Sequence, residues 1–88
     1  MRISPVNLNA FKGLLVIKGY GKPNFEIETR DIVEIDTSTN KYITSIKYND
    51  ANNTLCEKVI YTPQESHKKD ILIGYAAAAA SKDVIIRI

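Results

Sequence analysis

The residues able to do chemistry are few, and none has a ready partner. His67 is the only histidine and Cys56 the only cysteine. A general base must reach a substrate proton, and a thiolate nucleophile needs a helix N-terminus or a cation to lower its pKa. His67 falls among lysines early in a predicted helix, where a solvated surface imidazole is the simpler reading. Cys56 falls in a predicted strand with Lys58 on its face, and an inert thiol is the simpler reading there. One histidine and scattered serines make no Ser-His-Asp arrangement. A closed zinc site takes four ligands, and a lone cysteine excludes a disulfide within the chain. Glu26 with Glu28, and Glu34 with Asp36, pair on one strand face. Such pairs suit a divalent cation or acid–base work, but alternating charge on the wet face of a strand is the commoner explanation. Gly19-Tyr20-Gly21 leads into proline and a strand, not the helix a phosphate loop requires. The residues therefore point to no enzyme, no catalytic residue, no metal and no cofactor.

Two patterns point to binding instead. Tyr20, Tyr42, Tyr48 and Tyr61 lie in or beside predicted strands, interleaved with Lys22, Lys47 and Lys58. Tyrosine and lysine on a small sheet can stack bases and track phosphates, which would suit single-stranded nucleic acid or a nucleotide. The same tyrosines would also line a half-buried sheet with their rings on the core. The second pattern is Gly74 with Ala76 to Ala80, a helix surface almost free of side-chain bulk. It predicts close packing onto the domain's own sheet, or a seam with a partner or second copy through Gly74, Ala77, Ala78 and Ala80.

Net charge is only +2 over 88 residues, but its distribution is uneven. Residues 1–24 carry Arg2, Lys12, Lys18 and Lys22 with no acid, whereas residues 25–36 carry five acids against Arg30. Adjacent blocks of opposite sign suggest a β-hairpin with cross-strand ion pairs, and the acidic block counts against a continuous nucleic-acid groove.

The positioning elements follow from periodicity. Residues 1–10 are polar and irregular, an arm or short edge segment. Phe11 to Lys18 holds the apolar run Leu14-Leu15-Val16-Ile17, suited to a buried strand. Phe25 to Asp36 alternates with Phe25, Ile27, Thr29, Val33 and Ile35 inward, and Asp31-Ile32 marks a bulge or a break into two strands. Tyr42 to Tyr48 and Leu55 to Tyr61 follow, each preceded by turn residues. Thr62-Pro63-Gln64-Glu65 predicts a capping box opening a helix from about 63 to 81, with Ile71, Leu72, Tyr75, Ala76 and Ala79 inward and His67 to Asp70 in water. Val84 to Ile88 is a last strand.

The expected fold is β-rich α+β: a four-stranded antiparallel meander, one helix and a C-terminal strand, closed as a small barrel or left as a twisted open sheet. Ser66 to Ile88 resembles the helix-then-strand unit of OB-fold toxin binding subunits, without their paired cysteines. Gly21-Lys22-Pro23 with Phe25, Ile27, Ile32 and Ile35 is similar in pattern to small β-meander proteins of bacterial flagella. Neither resemblance carries a functional residue.

With 88 residues and 44% hydrophobic content, the chain suits one domain over 1–88. A domain of this size buries only about 60–65% of its unfolded surface, so self-association is a natural remedy. No segment has signal-peptide or membrane-span character, and one unpaired cysteine suits a reducing compartment, so a cytoplasmic location is expected. The functional expectation is a small binding module acting through a protein surface, self-associating, such as an adaptor, inhibitor or regulator of the size phages and mobile elements encode.

Overall fold

The alternating segment from Phe25 to Asp36 is shared between two sheets, and that division sets the architecture. The structure, a computed structural model, describes residues 2–3, 13–19, 24–80 and 82–88. The chain forms β1 (Arg2–Ile3), β2 (Leu14–Lys18), β3 (Phe25–Glu28), a 3-10 turn (Thr29–Asp31), β4 (Ile32–Asp36), β5 (Ile43–Asn49), β6 (Leu55–Tyr61), α1 (Glu65–Ala79) and β7 (Val84–Arg87). One sheet has the order β1-β4-β5-β6 and the other β3-β2-β7. Among the described residues, all pairings are antiparallel except that of β7 with β2, which is parallel. Among the described residues the domain is therefore strand-rich α+β with one helix and open sheets rather than a closed barrel.

The predicted four-strand meander is divided at Thr29. Its N–H and hydroxyl both donate to the carbonyl of Gly13, which ends the β2–β3 pairing and turns the chain into the second sheet. Register then shifts between Ile32 and Glu34, so Ile32 is buried and Val33 points outward, opposite to the simple alternation. The expected hairpin of β2 and β3 is present. Among the described residues, ion pairs join Glu28 to Arg30 and Glu34 to Lys47. Arg2 of the basic block stands opposite Asp36 of the acidic block in the β1–β4 register, and Lys12 and Lys22 lie outside the described residues. Within the expected N-terminal arm, Arg2–Ile3 forms an edge strand on β4; the remainder of 1–10, and Phe11, lie outside the described residues.

The helix differs from expectation at its start and on its inner face. Thr62 is wholly buried and continues the β5–β6 ladder, its N–H 2.8 Å from the carbonyl of Tyr42 and its hydroxyl 2.8 Å from that of Thr44. A hydroxyl held there cannot cap a helix, so the Thr62–Glu65 capping box does not form. Gln64 is the N-cap instead and makes no side-chain bond to the helix. The helix ends at Ala79, short of 81.

Its buried stripe is Lys68, Ile71, Gly74, Tyr75 and Ala78, whereas Ala76 is exposed. Lys68, expected in water, is 2% exposed. Its ammonium donates to the carbonyls of Thr37, Asn40 and Ile43 at 2.9, 2.7 and 2.6 Å, using all three protons on the β4–β5 connection. The two sheets and this stripe enclose a core that includes Leu15, Ile17, Ile35, Ile46, Ile71 and Ile86.

Candidate functional site

Among the described residues, β6 carries three exposed large apolar side chains, against one each on β4 and β7. β6 ends the sheet order, and among the described residues nothing pairs with its far side. Two backbone bonds settle which of its groups face that open side. Thr62 N–H donates to Tyr42, and Asp50 N–H donates to Thr54, in a register where partner numbers fall steadily from Ile43↔Tyr61 to Asn49↔Leu55. Hydrogen-bonded pairs alternate along an antiparallel ladder, so Cys56, Lys58 and Ile60 bond to β5. Leu55, Glu57, Val59 and Tyr61 therefore turn their N–H and C=O groups outward.

Three of those four residues also carry exposed apolar side chains: Leu55 at 59%, Val59 at 50% and Tyr61 at 61%. The strand stays in place because Ile60 is buried on the opposite face and because the Ser45 hydroxyl bonds the Glu57 carboxylate across the ladder.

A groove of about 490 Å³ runs beside the C-terminal half of β6. Lys58, Val59, Ile60 and Tyr61 form one wall, and Ile17, Phe25, Pro63 and Ile88 give it an apolar floor. Phe25 links the sheets here, its ring 5.4 Å from that of Tyr48 and 6.0 Å from Lys58 Nζ. His67, expected to be solvated, is half-buried and lines the same groove. Its Nδ1 is out of solvent with no hydrogen-bond partner among the described residues.

The expected tyrosine–lysine face is not one surface. Lys47 and Tyr61 lie on the outer side of the sheet, Tyr48 and Lys58 on the inner side. Lys47 is 3.7 Å from Glu34 and stands opposite Glu57, so carboxylates flank it. Tyr42 is exposed in the turn before β5, with Lys41 Nζ 5.5 Å from its ring. Tyr20 and Lys22 lie outside the described residues.

The small-residue seam is also divided. Gly74 and Ala78 are buried against the domain itself; a Cβ on Gly74 would overlap Ile86 Cδ1. Ala77 is half-buried and lines a shallow depression with Ile73 and Ile85, and Ala80 is exposed at the helix end.

Cys56 sits in the corner made by Asp50. Its Sγ donates to the Asp50 carboxylate at 3.6 Å and to the Thr54 carbonyl at 3.5 Å. Burial pushes the thiol pKa up, and the neighbouring Asp50 charge adds to the rise, the reverse of what a thiolate nucleophile requires. Among the described residues no three His, Cys, Asp or Glu side chains cluster as metal ligands, and no helix is long and apolar enough to cross a membrane.

Leu55 and Val59 were not singled out from sequence, and His67 was read there as a solvated imidazole. A signal was present: paired charges Glu57-Lys58 at the middle of a β-branched run mark an edge strand. Comparison with protein families, characterised proteins and solved structures finds no match to this chain.

Proposed function

We propose that the protein is a non-enzymatic binding module, an adaptor, inhibitor or regulator, whose working surface is the open edge of β6. The observation that carries this reading is the coincidence of outward backbone groups with exposed apolar side chains at Leu55, Val59 and Tyr61. An extended partner segment adding to that edge completes main-chain hydrogen bonds worth about 1 kcal/mol each and covers the apolar side chains.

Val59→Pro tests it. The Val59 N–H faces away from β5, so proline there removes a group from the open edge and none from the ladder. Affinity capture from the source cell, quantified for both chains, should retain proteins on the wild type that the variant loses, with an unchanged urea midpoint. Identical capture by both chains removes the edge from consideration.

A second reading, self-association, rests on the other side of the molecule. Ile73 and Ile85 are exposed and flank the depression that Gly74 and Ala77 line, beside β7, which ends its own sheet. Light scattering checks it: a strict monomer at high concentration discards this seam and leaves the β6 reading intact.

A further inference from the structure

The charges on β6 and beside it define which segment the edge accepts. A second copy is less well suited. The two-fold antiparallel pairing that aligns all of β6 with itself is centred on Lys58 and sets Lys58 against Lys58 of the second copy. An axis at Glu57 sets Glu57 against its equivalent, and an axis at Val59 avoids both but pairs only Glu57–Tyr61 and leaves Leu55 outside the ladder. Like charges directly opposite are destabilising, and a charge at mid-strand is how edges avoid self-pairing.

The groove points to a different occupant. Its floor is apolar, its polar side-chain groups include the Lys58 ammonium and the imidazole of His67, and its described lining holds no carboxylate side chain. A strand laid antiparallel on β6 places alternate side chains on the inner side, facing Ile60 and then Lys58, two residues apart. The first enters the groove, and the second meets the ammonium.

We infer that β6 binds an extended peptide segment in which a bulky apolar residue is followed two positions later by aspartate or glutamate. This inference rests on the strand-addition reading above and adds the chemistry of the partner to it. Main-chain bonds to Leu55, Glu57, Val59 and Tyr61 hold the segment; the groove and Lys58 select its sequence.

The test is selection from a random seven-residue peptide library on the immobilised full chain, run in parallel on Lys58→Glu. Lys58 is exposed, so the substitution leaves the core untouched. The wild type should enrich an apolar-x-acidic pattern, and the variant should shift the acidic position to basic. A synthetic copy of the enriched peptide should bind the variant about tenfold more weakly. It should also slow amide exchange at Leu55, Glu57, Val59 and Tyr61 about tenfold, and not at Cys56, Lys58 or Ile60, which are already bonded to β5. Peptides that protect those four amides but have the same composition on both chains overturn the acidic partner and leave strand addition standing. Enriched peptides that leave the four amides unprotected, or no enrichment at all, overturn both.

Discussion

The ammonium of Lys68 lies 2.6 Å from the carbonyl oxygen of Ile43, joining the first turns of the helix to the first residue of β5. Bonds to Thr37 and Asn40 complete the set, so one helical side chain satisfies three carbonyls of the same connection. Asp36 organises that connection from the other end, accepting the N–H groups of Ser38 and Thr39. β5 is the neighbour on which the β6 edge is built, so this staple also positions the candidate site.

Lys68→Met keeps the buried stem and removes the ammonium, leaving those carbonyls without this donor. The expected loss is about 2–4 kcal/mol, read as a lower urea midpoint at unchanged slope. Lys69→Met, at an exposed neighbouring position, should move the midpoint by no more than about 0.5 kcal/mol. Equal effects from the two would show that the staple contributes nothing.

The Thr44 and Thr62 hydroxyls, both buried and 2.8 Å apart, call for a double-mutant cycle. Thr44→Val and Thr62→Val should each cost about 1–2 kcal/mol by stranding the other hydroxyl. The double variant should cost less than their sum by about 1 kcal/mol. Glu65→Ala should have little effect, because the capping box that would employ it is absent. A larger loss from Glu65→Ala than from Thr44→Val would restore the capping role of Thr62.

Two glycines face different obstacles. A Cβ on Gly13 would overlap the backbone carbonyls of Ala78 and Lys82, which cannot move without displacing the end of the helix. Gly13→Ala is expected to cost about 3 kcal/mol. A Cβ on Gly74 meets chiefly the tip of Ile86, and alanine returns about 1 kcal/mol of helix propensity. Gly74→Ala should therefore cost about 1–2 kcal/mol less than Gly13→Ala, as denaturant titration of both would read.

Asp50 sets the acid response of the β5–β6 turn. The N–H of Thr54 lowers its pKa first, then that of Asn52 and the thiol of Cys56, outweighing partial desolvation. A folded pKa below the unfolded one means the contribution is present above the ordinary carboxylate range and is lost as pH falls through the folded value. Asp50→Asn should accordingly flatten the stability profile below about pH 4 and leave its slope near neutrality unchanged. Chemical denaturation across that range decides it; a parallel acid slope in the variant assigns the response to other carboxylates.

Local features were legible from the residues alone. Strands at Leu14–Lys18, Ile43–Asn49 and Leu55–Tyr61, the helix and the last strand follow from periodicity and turn residues. So does the turn at Asp50–Thr54, where Asn53 takes the left-handed conformation that asparagine tolerates. Each depends on neighbours along the chain.

Tertiary contacts decided the rest. Thr62 has the residue type of a helix cap, but a buried hydroxyl opposite Thr44 outbids it. Lys68 has the residue type of a solvated helix face, but three converging carbonyls draw it inside. Phe25 to Asp36 alternates like one strand, yet the bonds from Thr29 to Gly13 send its halves to different sheets. Tyr48 and Tyr61 share a composition signal and lie on opposite sides of the sheet through register. Propensity and spacing act between near neighbours, whereas burial and hydrogen-bond satisfaction are settled only when distant segments meet.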